Sequence, residues 1–598
     1  MFDIPSPSPS SPPSPGGQSL FPGTDQSNQK MNTGSHRVLE LPSGRLRPGW
    51  LPQVMTTRDM TVLCLITVLL VSNVSLMAGA GGAAFIYLGL GFITFLIPSA
   101  LVCAQLYRLF PGEGAVYLWA NKAFGSFWDT FVGLFCNWLP GVLGMTIGAV
   151  SVVTYIQALN QNWLAQPWQQ GVVEILVLVC AQVLCSLRQR ILQNIINLVF
   201  LAYACIFVLL GLAAVVWLAA GHAAQGDFSS QGWQIGPANW PVFSVMIISM
   251  FGMEVPLNLG IEVVGQNVIK RYLLWGVVIS IVGYLVATFS ITVVLPPQDA
   301  VNSALIAEVF TRAFGPGLGT FLATSTNVIL VIYFVGVTVA FNMMFARLLM
   351  LAGVDRRLPI VMRRLTRNSV PFNAMLVQTF INVALVLVIF FVAPSFAPSN
   401  QALSLIVFLV TINGGAVIWN IAMIGLFLCG IILCTRYRTR LTGNWIVPPV
   451  VLYTGAGLGI ASSIVAIYST FFAGSPIPQL LSNADWVYYM LLVVLSSLAV
   501  GAAYSFLVPE AEDLVALTRV KKGVKAVPQS PTMLATEQRL FEEDQYAREQ
   551  YNSNPGRTSN ISGNVSAAQD TYISGKLFPG STGDAGSRGP RNIPGRMG

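Results

Sequence analysis

Val277 to Val294 is an apolar run of 18 residues without a single charge, and segments like it recur along most of the chain. Such a run is long enough to cross a hydrocarbon core of about 30 Å. In lipid no water is at hand for exposed amides and carbonyls, so a crossing segment of this kind must be a helix that satisfies its own backbone. The charged fraction agrees. Only 9% of the 598 residues are Asp, Glu, Lys or Arg, against about 25% in a soluble domain whose surface faces water. The expected fold is therefore an all-α integral membrane protein with 12 transmembrane helices. Their expected limits are 60–82, 84–108, 126–159, 171–187, 192–220, 240–262, 269–296, 317–351, 371–394, 402–434, 446–472 and 484–508.

Loop charges test the count. Basic residues follow every second span: Arg108 and Lys122, Arg188 and Arg190, Lys270 and Arg271, Arg356 to Arg367, Arg436 to Arg440, and Lys521 to Lys525. The opposite loops hold almost none, Arg312 being the exception. A miscounted span would invert the pattern downstream. The expected location is the plasma membrane, and the positive-inside rule supports 12 spans with both termini cytoplasmic. It also accounts for the net charge of +8 without a nucleic-acid partner. The basic junction Arg356–Arg367 reads first as a solvated loop; holding a gate closed and binding anionic lipid are its other readings.

Outside a core of 56–510 the composition changes. Residues 1–55 are rich in Pro, Ser and Gly and are expected to be a disordered cytoplasmic tail. No apolar stretch follows a basic start, so no cleaved signal peptide is expected. Residues 511–598 read as a second cytoplasmic tail, largely disordered, with helical charge patterning only in Thr536–Tyr551. On that side of the membrane Asn560 and Asn564 are not expected to be glycosylated. The eight cysteines sit in apolar segments without a CxxC pair, and there are two histidines. Neither a zinc site nor a disulfide framework is expected, and no metal or cofactor.

Two spans are interrupted by polar and helix-weakening residues. In the first, Ser72 to Gly82 includes Asn73, Ser75, Met77, Ala78 and Gly79; in the sixth, Phe251 to Gly260 includes Gly252, Met253, Glu254 and Pro256. Gly and Pro weaken a helix, and backbone unwinds at membrane depth only where protein or a water-filled cavity satisfies it. The breaks lie five spans apart, the spacing of an inverted five-plus-five repeat whose discontinuous helices 1 and 6 form a central site. Glu254, in mid-span, is a candidate for binding an ammonium group or a coupling proton. Glu262 is a candidate gate residue, and Glu174 reads as solvated at the outer end of span 4. Asn137, Trp138, Tyr333 and Asn342 are candidates for lining the cavity, although aromatic residues in spans more often only pack.

Longer motifs carry a family resemblance. Pro98 to Leu106 followed by Phe110-Pro-Gly-Glu-Gly114, Tyr117-Leu-Trp119 and Ala123-Phe-Gly125 resembles span 2 and the next loop of the amino acid–polyamine–organocation transporters. Phe251-Gly-Met-Glu254 with Glu262 is similar to their span 6. Ala346-Arg347, Asp355-Arg-Arg-Leu-Pro359 and Pro371-Phe-Asn-Ala374 are similar to their span 8–9 junction. The resemblance covers about 56–510. It implies the inverted-repeat fold, alternating access, and a substrate meeting the unwound backbone at Asn73–Gly79 and Phe251–Glu254, with Phe251 as a lid. The span 1 break and its very short link to span 2 look most like the glutamate:GABA antiporter branch, with Gln105 standing where a Glu is usual. Span 5 carries no Lys between Gln193 and Ala220, unlike some proton-coupled members. Thr324, Ser325 and Thr326 are the hydroxyls available for a sodium site. The expected function is secondary transport of amino acids, as proton symport or exchange. The alternatives are an amine or polyamine transporter and a non-transporting receptor or scaffold. An enzyme is disfavoured because no span holds a histidine and buried acids are sparse. A primary pump is disfavoured because there is no P-loop.

Overall fold

The computed structural model describes residues 43, 51–236, 239–300, 306–396, 402–475 and 479–521. The expected tails, including Thr536–Tyr551, Asn560 and Asn564, lie almost wholly outside the described residues. The described chain is helical: α1 Thr57–Val68, α2 Val71–Ala78, α3 Ala83–Leu109, α4 Ala115–Phe124, α5 Ser126–Leu159, α6 Pro167–Cys185, α7 Gln189–Ala219 and α8 Pro241–Ser249, then α9 Gln266–Val294, α10 Glu308–Phe314, α11 Leu318–Val354, α12 Phe372–Phe396, α13 Ala402–Arg436, α14 Pro449–Phe472 and α15 Asn483–Lys521. Among the described residues ten helices are long and apolar enough to cross a membrane, or eleven when α1 and α2, bent by 41°, count as one. The expectation of twelve differs at span 6. There α8 is followed by a non-helical stretch and a short 3-10 helix, Val255–Glu262, so no continuous helix of crossing length forms. At the other end α15 runs to Lys521, past the expected limit of 508. Good helix formers such as Glu510, Ala511, Glu512 and Leu514 continue it.

Local chemistry explains several element details. Thr56 caps α1 and Asp59 completes the capping box. The same Asp59 carboxylate accepts from Arg190 Nη1 at 2.9 Å and Asn197 Nδ2 at 2.6 Å, which draws α7 onto α1. Three helices widen into a π-turn shortly before a proline: Phe92–Leu96 before Pro98, Asp129–Cys136 before Pro140, and Val388–Val392 before Pro394. Proline removes an amide and clashes with the carbonyl one turn earlier, and one extra residue in that turn relieves the clash. Packing of α5 on α11 depends on small residues. A Cβ at Gly144 or Gly148 would run into Phe341 or Thr338, so this Gly-x-x-x-Gly face lets the two helices meet closely. Large apolar side chains such as Leu198, Val208, Phe380 and Val450 stand outward, as on a surface that faces lipid.

Candidate functional site

The chain leaves helical geometry between α1 and α2, but not where the Gly-rich sequence indicates. Asn73, Ser75, Met77 and Ala78 lie within helix α2; the break is at Leu69 and Leu70, which has extended backbone. This corrects the expected unwound stretch of Asn73–Gly79. The glycines instead make the turn into α3. Gly81 has φ +60°, and the amides of Gly82 and Ala83 donate to the carbonyls of Asp227 and Gly232 in the loop beyond α7. The true break carries no helix-breaking residue because hydroxyls from elsewhere hold it. Tyr203 Oη, from α7, donates to the Leu69 carbonyl at 2.7 Å and accepts from the Val71 amide at 3.0 Å. Tyr333 of α11 stacks on Tyr203 with ring centroids 3.5 Å apart. Its place is thus inside the packing around the break.

The second break lies where expected. After α8 the chain turns through Met250 to Glu254, with Gly252 at φ +110°. Only glycine adopts that backbone readily, and a Cβ there would sit 2.6 Å from Thr67. Thr67 Oγ1 donates to the Gly252 carbonyl at 3.1 Å, tying α1 to the break. Tyr272 Oη, on α9, donates to the Met253 carbonyl at 3.2 Å. Tyr284 Oη, also on α9, stands against the carbonyls of both Val68 and Ser249, one from each break. The two interruptions are therefore joined by a shared set of hydroxyls, which satisfy the carbonyls freed by unwinding.

Glu254 sits at this junction and is buried. Trp419 Nε1, from α13, donates to its Oε1 at 3.0 Å, while Oε2 has no hydrogen-bond partner among the described residues. Phe251 is packed between Phe95, with centroids 5.5 Å apart, and Trp419, at 5.4 Å. Phe341 and Phe345 flank the indole from α11. The buried Ser75 hydroxyl and Asn258 Nδ2 also lack partners among the described residues. A carboxylate oxygen without a donor, walled by aromatic rings, is chemistry that accepts an ammonium group.

Glu262 is held differently. Its carboxylate lies 2.8 Å from Arg347 Nη2, and both side chains are buried. Arg347 also donates to the Ser369 carbonyl and to Gln189 Oε1. The Glu262 carbonyl accepts from the amides of Val54 and Met55, each at 2.9 Å, so the segment before α1 is stitched to the end of span 6. Glu113, in the loop before α4, is buried close by. Burial pushes its carboxyl well above the usual range, and the Glu262 charge adds to the shift while Arg347 opposes it.

Other expected residues fall elsewhere. Glu174 is fully buried and its two carboxylate oxygens lack partners among the described residues, against the expectation of a solvated group. Its helix face packs inward, with Gly171 one turn earlier against Phe390 and Phe391 of α12. Asn137 is buried in α5. Trp138, one residue on, donates to Gln378 Oε1 and lines an apolar cavity between α5, α11, α12 and α15, apart from the Glu254 cluster. Asn342 belongs to a buried polar seam with Gln378, Gln182 and Thr379. Thr324 is exposed whereas Thr326 is buried, so the expected hydroxyl triplet does not converge. Sequence reading missed Thr67, Tyr203, Tyr272, Tyr284 and Trp419. The available signal was tyrosine in place of phenylalanine inside apolar spans, because a buried phenol needs a partner.

Comparison with known proteins agrees with this architecture. Segments of the chain are similar to two probable polyamine transporters of Arabidopsis thaliana, 34% identical over 73 residues and 37% identical over 82. These matches take in 12% and 13% of this chain and only 15% and 17% of the relatives' lengths. The family model described as amino acid permease matches residues 54–506, nearly the whole helical core. By that match the chain, a multi-pass membrane protein, belongs to the amino acid permease family of the amino acid–polyamine–organocation superfamily, a family of transporters rather than enzymes.

Proposed function

We propose that this protein moves amino acids across the plasma membrane by secondary active transport, with alternating access to a site between the breaks of spans 1 and 6. The observation that carries the reading is Glu254: a buried carboxylate at the joint of both breaks, with one oxygen fixed by Trp419 and the other without a donor among the described residues. In this reading the free oxygen takes the substrate ammonium or a coupling proton, and Phe251 covers the substrate. Backbone amides at the start of α2 and the polar groups of Asn73 and Ser75 face the carboxylate end, with Met77, Ala78, Gly79, Gly252 and Met253 shaping the wall. The Glu262–Arg347 pair closes the end of the pathway that carries the basic loops.

The same reading has 12 spans in a five-plus-five inverted repeat, with α8 and Val255–Glu262 forming a broken span 6. The core is 56–510, the tails 1–55 and 511–598 are cytoplasmic, and transport is proton symport or exchange. Alternate basic loops support this topology. A second reading, transport of amines or polyamines, is favoured by the aromatic rings around Glu254 and by the polyamine transport for which the two partial relatives are named.

The test is uptake into proteoliposomes of labelled amino acids and, in parallel, putrescine and spermidine, with proton gradients, sodium gradients or internal amino acid imposed. Saturable amino acid uptake that Glu254→Gln abolishes or frees from its pH dependence is expected. Uptake of diamines alone selects the second reading. No uptake of either class by folded protein refutes transport and leaves a receptor or scaffold.

A further inference from the structure

The cavity that Trp138 lines takes no part in the Glu254 site. It measures about 260 Å³ and its walls are apolar: Leu134 and Trp138 of α5, Leu358 and Met362 of the junction after α11, Val377 of α12 and Val500 of α15 among them. An apolar cavity of roughly 150 Å³ is already large enough to stay dry and accept benzene. This one reaches the outer face of the bundle, since Val500 on its rim is 64% exposed. Phe380, one turn along α12 from Val377, is also exposed.

The mouth carries the opposite chemistry. Met362 belongs to a short 3-10 turn, Ile360–Arg363, that packs against Gly353. Ile360 and Val361 project outward from this turn, and Arg363, Arg364 and Arg367 are exposed directly beside it. Trp138 and Tyr504 have their polar atoms engaged, the indole on Gln378 and the phenol on the Arg357 carbonyl, so they turn only carbon toward the cavity. An apolar slot that reaches the outer face of the bundle, with Met362 in its wall and the exposed Arg363, Arg364 and Arg367 next in the chain, matches a molecule with a long hydrocarbon tail and an anionic head. Each arginine near such a head strengthens attachment roughly fivefold, and the guanidinium fork suits phosphate oxygens.

We propose that an anionic glycerophospholipid from the bilayer occupies this site, with one acyl chain in the Leu134–Trp138–Val377 cavity and its phosphate on Arg363, Arg364 and Arg367. The test is native mass spectrometry of the delipidated full chain. It is titrated with phosphatidylglycerol, with phosphatidylcholine of the same acyl chains, and with glycerol phosphate as a head without a tail. One phosphatidylglycerol is expected to be retained at least about tenfold better than phosphatidylcholine, with glycerol phosphate not retained. Val377→Trp, which fills the slot, should lower retention at least about fivefold, and the triple change of Arg363, Arg364 and Arg367 to Gln should erase the preference for the anionic head. Val500→Trp, on the exposed rim, carries the same test if Val377→Trp does not fold. Equal retention of both phospholipids, retention unaffected by the folded Trp variants, or glycerol phosphate bound as tightly as the lipid would each overturn the proposal.

Discussion

Replacing Tyr203 by Phe removes one oxygen atom and with it both hydrogen bonds that hold the span 1 break, to the Leu69 carbonyl and from the Val71 amide. A buried polar group left without a partner costs about 1–3 kcal/mol. The Tyr333 hydroxyl lies 3.5 Å from the Leu69 carbonyl and can close on it. The Val71 amide then remains the orphan, and the net cost is that of one group. At 1.4 kcal/mol per tenfold, about 1–3 kcal/mol favours local opening by roughly 5- to 150-fold. Hydrogen–deuterium exchange in detergent reads that equilibrium directly when closing is faster than exchange. Peptides through residues 66–74 should exchange faster by that factor, while peptides from α13 should not change. Tyr155→Phe is the control. Its buried hydroxyl has no partner among the described residues while its ring stacks on Phe334, so losing the oxygen should leave exchange and melting unchanged or slightly improved. If Tyr203→Phe and Tyr155→Phe gave the same exchange in 66–74, the phenol would not be what holds the break open.

The Glu262–Arg347 pair is buried on both sides, so removing one partner strands a charge; Arg347→Met should cost about 3–5 kcal/mol of stability. The double change Arg347→Met with Glu262→Gln should recover most of it, and thermal unfolding that is equal for single and double variants would contradict the pairing. Glu113 gives a pH effect. Its folded pKa is raised by burial and by Glu262, above the free-chain value of about 4.3. Folding therefore favours its protonated form. That stabilisation is complete below the free-chain pKa and is lost as pH rises through the folded value. Wild type should lose melting temperature toward alkaline pH more steeply than Glu113→Gln, and parallel curves would show that the group does not titrate against folding.

Much of the architecture is legible in the sequence for a simple reason. Crossing lipid requires long apolar runs, and the energy involved is large enough that composition alone marks them. The helices expected at 126–159, 317–351 and 446–472 form within a few residues of those limits. Phe251 to Glu254 is legible as a break because Gly252 and Pro256 disfavour helix locally and Glu254 is costly in lipid. The span 1 break is not. Leu69 and Leu70 favour helix, and what unwinds them is a set of hydroxyls on helices more than 130 residues away in sequence. Gly79 to Gly82, the obvious local weakness, became the turn between two spans.

Sequence by itself thus determined that the chain crosses a membrane many times and that a carboxylate is committed to its interior. Tertiary structure decided which backbone groups are free, because a carbonyl is freed or satisfied by whichever side chain packing brings to it. It also decided that Trp419 holds Glu254, that Arg347 neutralises Glu262, and that Trp138 serves a separate apolar cavity. These are partnerships between distant helices, and no local pattern of residues encodes them.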